Sequence, residues 1–236
     1  MPKLSLDRIL QSQGAGSRAE CRSLIAAGDV SVDGVVRTDY RLQFGTEGLS
    51  FKLKGEAWTY REKVYLILNK PSGYECSREP GAHPSVFSLL PERFWKRGVQ
   101  PVGRLDQDTT GLLLLSDDGA FIHAQASPKR HVPKTYAAQT AGPVTDDQTA
   151  ALLKGVLLRD EREPIAALSC RRTGENELEL TIDQGKYHQV KRMIAAAGNR
   201  CVALRRIGMG NLRLDDMELR EGEWRYLETA ELAALS

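Results

Sequence analysis

Two uninterrupted apolar runs, Val64-Tyr65-Leu66-Ile67-Leu68 and Leu112-Leu113-Leu114-Leu115, read as buried strands, and the elements around them come in no regular order. Further strands are expected at residues 134–140, 165–170, 177–183 and 201–207, with helices at 118–126, 145–154 and 187–197. A doubly wound parallel sheet needs strand and helix to alternate. The irregular order predicts instead an α+β domain whose mixed, mainly antiparallel sheet is flanked by helices.

A smaller unit precedes it. Residues 5–13 and 17–27 read as short helices, the second opening on Ser17-Arg18-Ala19-Glu20, a capping box in which hydroxyl and carboxylate satisfy each other's backbone amides. Its apolar positions Ala19, Leu24 and Ile25 leave Arg18 and Arg22 together on the outer face. Gly28 stops the helix, and the alternating stretch Val30-Ser31-Val32-Asp33-Gly34-Val35-Val36 reads as a β-hairpin with an Asp-Gly turn. Residues 54–63 are polar, contain a glycine and lack periodicity, which marks a linker. The 236 residues therefore divide into a small α/β unit, 1–58, and a larger domain, 59–236. Gly14-Ala15-Gly16 lies between helices and not after a strand, so it is not a nucleotide-binding fingerprint.

With 33 Lys+Arg against 31 Asp+Glu and 41% apolar residues, the composition is that of a soluble globular protein. No apolar run approaches the roughly 20 residues that cross a bilayer, and the first residues lack the apolar stretch of a signal peptide. A cytoplasmic location is the expectation. Cys21, Cys76, Cys170 and Cys201 are too widely spaced for a zinc knuckle or a redox motif and read as reduced packing residues. The charge is segregated. Residues 184–214 hold seven basic residues and no acid, and residues 119–145 hold Lys129, Arg130 and Lys134, again without an acid. The rest of the chain keeps 23 basic residues against 31 acidic ones. Two such windows on one surface suit a phosphate backbone.

The densest chemistry lies in Gly103-Arg104-Leu105-Asp106-Gln107-Asp108-Thr109-Thr110-Gly111, immediately before the four leucines. An Arg, two carboxylates and two hydroxyls on a loop held by a buried strand are placed for reaction. A metal at Asp106 and Asp108 would need a third ligand at suitable spacing, and none follows. In Gly185-Lys186-Tyr187-His188-Gln189-Val190-Lys191-Arg192-Met193, cations stand at the start of a helix, where the macrodipole opposes them. An anion facing Lys191 or Arg192 is the expected compensation.

These stretches, with Asn69-Lys70-Pro71-Ser72-Gly73-Tyr74, resemble the RsuA-type pseudouridine synthases, ribosomal RNA modifying enzymes with an N-terminal S4-like RNA-binding domain; residues 6–34 are similar to that S4 module. The resemblance implies an isomerase without cofactor or metal that acts on a flipped-out base. It implies Asp106 as nucleophile, Lys191 as the cation that keeps it a carboxylate, with Arg192 as fallback, and Tyr136 as the ring that stacks on uracil and takes the carbon-5 proton. It further implies substrate contacts from Arg104, Arg192, Lys70, Thr109, His188 and Gln189, and RNA contacts from Arg18, Arg22, Lys129, Arg130, Arg205 and Arg206. Tyr187-His188 together with Tyr74-Glu75-Cys76-Ser77 points to the uridine conventionally numbered 516 of small-subunit (16S) RNA, presented free or in an assembly intermediate to a monomeric enzyme. Large-subunit RNA as substrate, a non-catalytic RNA-binding assembly protein and metal-dependent phosphodiester cleavage are the competing readings.

Overall fold

The structure is a computed structural model that describes residues 3–235. The chain forms two compact units. The first runs to Val64 and also takes Leu90–Gln100; the second holds Tyr65–Leu89 and the chain from Pro101 onward. The division thus falls later than the sequence reading placed it, and the excursion at 90–100 was not foreseen.

In the first unit, strand β1 (Lys3–Ser5) leads into helix α1 (Leu6–Ser12), followed by α2 (Arg18–Ala26). Both halves of the α2 capping box form, Ser17 Oγ accepting from Glu20 N and Glu20 accepting from Ser17 N. The hairpin of β2 (Val30–Val32) and β3 (Val35–Val36) turns through Asp33 and Gly34, both at positive φ. Strand β4 (Gln43–Gly45) pairs with β1. Strands β5 (Ser50–Leu53) and β6 (Glu56–Thr59) form a second hairpin, so the middle of the expected linker is a strand. The reason is local: Lys54 and Gly55 take the left-handed backbone of a tight turn, and Trp58 packs against Phe51. The core joins Leu6, Ile9, Leu10 and Ile25 to Val30, Val32 and Phe51. Helix α3 (Glu92–Arg97) belongs to this unit, and Gly14 is glycine because a Cβ there would lie 2.1 Å from the Arg93 carbonyl oxygen. Gly14-Ala15-Gly16 is accounted for by packing.

The second unit contains β7 (Tyr65–Lys70), the two-residue β8 (Gln100–Pro101) where the chain re-enters it, β9 (Thr110–Ser116), α4 (Gly119–Ala126), β10 (Lys134–Thr140), α5 (Asp146–Lys154), β11 (Ser169–Gly174), β12 (Glu177–Ile182), α6 (Gln189–Ala196), β13 (Cys201–Met209), β14 (Leu212–Arg213), β15 (Trp224–Tyr226) and α7 (Thr229–Ala233). The sheet path is β11-β12-β10-β13-β9-β7-β15, with β14 added to β13. Along this path only β9 and β13 run parallel. The mixed, mainly antiparallel sheet is as the order of elements predicted. Leu66, Ile67 and Leu68 of β7 and Leu112 to Leu115 of β9 are all fully buried, and because neighbouring side chains face opposite ways, both faces of the sheet centre are covered.

One strand was misplaced. Residues 165–170 alternate, but Ile165 only bridges Val156, and the strand is the polar β11, which pairs with β12 at the sheet edge. A polar edge strand carries no apolar period to read.

The parallel β9–β13 pair sets a steric condition beside the reactive loop. Gly111 adopts φ +99°, and a Cβ there would lie 2.3 Å from the Arg206 carbonyl oxygen. Gly111→Ala is expected to cost about 2 to 4 kcal/mol from the left-handed backbone and the clash together, read as a lower urea midpoint at an unchanged slope.

Candidate active site

The loop between Gly103 and β9 is tied from below. Lys70, the last residue of β7, is fully buried, and its Nζ donates to the carbonyls of Pro71 (3.1 Å), Gln107 (3.0 Å) and Thr109 (2.9 Å). Burial pushes this ammonium below its ordinary pKa, against the pull of nearby acids. Gly73 N donates to Gln107 O at 3.0 Å, Thr109 N to Asp106 O at 3.1 Å, and Leu105 N to Cys76 Sγ at 3.4 Å. Backbone anchors on both sides of Asp106 leave its side chain free to project.

The carboxylate meets α6. Lys191 Nζ lies 3.1 Å from Asp106 Oδ2 and 2.6 Å from Asp108 Oδ1. His188 Nε2 lies 3.4 Å from Asp106 Oδ1. Burial works against the Lys191 ammonium, but the two carboxylates outweigh it and hold its pKa above the ordinary lysine value. Burial likewise opposes ionisation of Asp108, and the Lys191 hydrogen bond and charge overcome it, so its carboxyl is held below the usual range. Lys191 is therefore a standing cation and not a proton donor near neutrality. The anion that its place at a helix start required is a pair of carboxylates.

Asp106 opens on a cleft whose polar lining includes Arg104, Thr109, Tyr136, His188 and Gln189, between walls of Leu105, Ile182, Val190 and Leu204. Tyr136 comes from β10 and is 8% exposed. Arg104 is exposed at the rim. Thr109, also on the cleft, is buried, and its Oγ1 has no hydrogen-bond partner. An aromatic face, an ion-paired carboxylate and a small polar cavity suit a planar heterocycle held beside a nucleophile.

Other expected residues lie elsewhere. Lys70 supports the loop from inside and has no face on the cleft. Arg192 donates to the carbonyls of Tyr187 (3.3 Å) and Arg159, so it braces the turn before α6, and of the two cations it is Lys191 that faces Asp106. Arg206 is buried at 2% exposure with Nε donating to Leu112 O at 2.7 Å; it stitches β13 to β9 and is not presented to a phosphate backbone. Gln189 reaches the cleft, but its Oε1 accepts from Lys186 N at 2.9 Å and holds the turn. Arg205, Lys129 and Arg130 are exposed. In the first unit, the Nε atoms of Arg18 and Arg22 both bind the fully buried Asp7, at 2.9 and 2.8 Å, leaving their outer nitrogens at the surface. Sequence reasoning weighed Asp108 only as a metal ligand and Cys76 only as a packing residue and part of a motif, and it gave no role to Asp7. The place of Asp108 had a signal, a second carboxylate two positions from Asp106; Asp7 had none.

Among the described residues, no group of three His, Cys, Asp or Glu side chains is arranged to hold a metal ion, and no helix is long and apolar enough to cross a membrane.

Residues 64–196 match the family model described as RNA pseudouridylate synthase, and residues 4–47 match the S4 domain. The chain belongs to the RNA pseudouridylate synthase family, whose members are RNA-modifying isomerases. It is an RsuA-type member with an N-terminal S4 domain: it is 38% identical to ribosomal small subunit pseudouridine synthase A of Vibrio cholerae, covering 98% of this chain and 99% of that protein. It is also 37% identical to an uncharacterized RNA pseudouridine synthase, YtzG, of Bacillus subtilis, covering 99% and 98%. A solved structure titled as that of a pseudouridylate synthase superposes with a TM-score of 0.70 at 36% identity, covering 99% of this chain and 100% of that one.

Lys134, two residues before Tyr136, offers a stability test. It is 9% exposed; burial, then the Arg206 charge, pushes its ammonium down to about 8, with Asp183 opposing. Between pH 8 and the ordinary lysine value of 10.5 the unfolded chain holds a proton that the folded chain has lost, so this residue's contribution to stability rises with pH across that window. In urea titrations the wild type is expected to gain about 1 to 3 kcal/mol on Lys134→Met between pH 7 and 10.5. A difference independent of pH would show that Lys134 is not desolvated.

Proposed function

We propose that this enzyme converts one uridine of small-subunit ribosomal RNA to pseudouridine, the uridine conventionally numbered 516, with Asp106 as the nucleophile. The observation that carries the reading is the Asp106 carboxylate, ion-paired to Lys191 in a cleft that Tyr136 also lines. The names of the relatives, ribosomal small subunit pseudouridine synthases, support the choice of RNA.

The reaction exchanges the bond from ribose to ring nitrogen 1 for one to carbon 5. The uracil must be released, turned within the site and rejoined, with nitrogen 1 gaining a proton and carbon 5 losing one. Asp106 acts as a carboxylate, and the lasting charge of Lys191 is the counter-charge it needs in a partly enclosed site. Tyr136 stacks on the ring and its hydroxyl takes the carbon-5 proton. The target has to leave its stacked position at a cost of about a few kcal/mol. Arg104, exposed at the rim, fills the vacated space or holds the neighbouring phosphate. Arg205, Lys129, Arg130, Arg18 and Arg22 hold the RNA backbone, and tethering two modest sites raises the effective concentration of the second. The enzyme works as a cytoplasmic monomer, on free RNA or an assembly intermediate, and requires no cofactor.

The test is a map of pseudouridine in small- and large-subunit RNA, free and partly assembled, after incubation with the enzyme. New pseudouridine at 516 is expected; modification confined to large-subunit RNA would overturn the substrate, and none in any ribosomal RNA would overturn the function. Asp106→Asn should lower turnover at least about a thousandfold while RNA binding stays within a few fold. Near-normal turnover in that variant would remove Asp106 from the mechanism.

A further inference from the structure

Tyr187 is an aromatic side chain left 75% exposed, yet its ring has a partner. Its ring lies on that of His188, centroids 3.8 Å apart and planes 18° from parallel. His188 in turn sets Nε2 3.4 Å from the Asp106 carboxylate. Adjacent side chains of a helix or strand diverge; these two share a side because His188 adopts the left-handed backbone, φ 49° and ψ 31°, immediately before α6. A residue other than glycine pays about 1 kcal/mol or more for that conformation. The turn is held by Gln189 N on Lys186 O, by Lys186 N on Gln189 Oε1 and by Arg192 on Tyr187 O.

The result is a rigid, two-ring stack with one end against the nucleophile and the outer face of Tyr187 open. Its sequence neighbours Gly185 and Lys186 are exposed too, so the ring is not the centre of an apolar patch of the kind a protein partner covers. It stands in the stretch 184–214, which holds seven basic residues and no acid. Lys186 beside it is paired to Glu161, but an open aromatic face in a stretch of this charge suits a nucleobase on a polyanionic strand.

We infer that the Tyr187–His188 stack is a second base-binding subsite, which receives the nucleobase flanking the target uridine. This rests on the proposed action on RNA. The open face of Tyr187 carries the flanking base, and His188 separates it from the base being isomerised. Because the stack is formed before RNA arrives, binding there orders the RNA and not the protein.

The experiment compares wild type with Tyr187→Ala, Tyr187→Leu and Tyr187→Phe on a small-subunit RNA transcript, measuring KM and kcat for pseudouridine formation and Kd by filter binding. The alanine and leucine variants are expected to raise KM and Kd by about five- to hundredfold, the range seen when a base-stacking ring is removed, with the loss in KM and not in kcat; phenylalanine should restore both. Transcripts made abasic at one flanking position should bind wild type and Tyr187→Ala equally. A leucine variant as good as phenylalanine, a loss confined to kcat, or an unchanged KM and Kd would each overturn the subsite, the last leaving the ring to a protein partner. A wild type that binds the transcript through Tyr187 but makes no pseudouridine would overturn the proposed function and leave the stacking subsite standing.

Discussion

One buried ammonium holds the reactive loop. A fully enclosed lysine is tolerated only when its donors are satisfied, and Lys70 has three donors and three carbonyl acceptors, two of them on the turn that carries Asp106. Hydrogen bonds to a charged group are each worth about 1.5 to 3 kcal/mol, so distorting that turn would strand a buried charge. The loop is fixed through its backbone, which frees every side chain on it for other work. Gly111 completes the arrangement from the far end by letting β13 approach β9 where a side chain would forbid it.

A cation at the start of α6 is opposed by the helix dipole, and this cost is repaid across the cleft. Lys191 answers two carboxylates on a loop some eighty residues earlier in the chain, so the Asp106 loop and α6 each supply the charge that the other lacks. The closer contact is to Asp108, whose side chain is 61% exposed, and the longer one to Asp106, at 29%. The outer carboxylate thus takes the shorter share of the lysine and leaves Asp106 the less tightly paired of the two.

What the sequence disclosed follows the range of the forces involved. The Ser17–Glu20 box, the Asp33-Gly34 turn and the two-sided burial of Leu112 to Leu115 are settled within a few residues, and each was readable. The dipole argument also located the partner of Lys191 as an anion, although only the resemblance pointed to Asp106. Helix α3 has six residues, too few to show a period, and β11 has its apolar alternation in the loop before it. Arg206 looked like a surface cation because its neighbour Arg205 is one; only the pleat of β13, which turns alternate residues to opposite faces, buries one and exposes the other. Lys70 and Arg192 were assigned to substrate because charge was visible and the carbonyls that absorb it were not.

A site that acts on RNA has to receive a polyanion, although Asp106 in this cleft is an anion with a second carboxylate beside it. Asp106 and Asp108 together exceed the charge of Lys191, and unrelieved they would repel a phosphate backbone at the cleft mouth. The segregation of charge along the chain resolves this. The acid-free stretches 119–145 and 184–214 contribute β10, α6 and β13, the elements next to the cleft, while the acids in excess belong to other segments. Arg104 and Arg205 are exposed cations, whereas Lys70 and Arg206 are buried and shape the protein. For any polyanion that approaches, attraction to the exposed cations and repulsion of its phosphates from Asp106 act together, which favours presenting a neutral base, and not a phosphate, to that carboxylate.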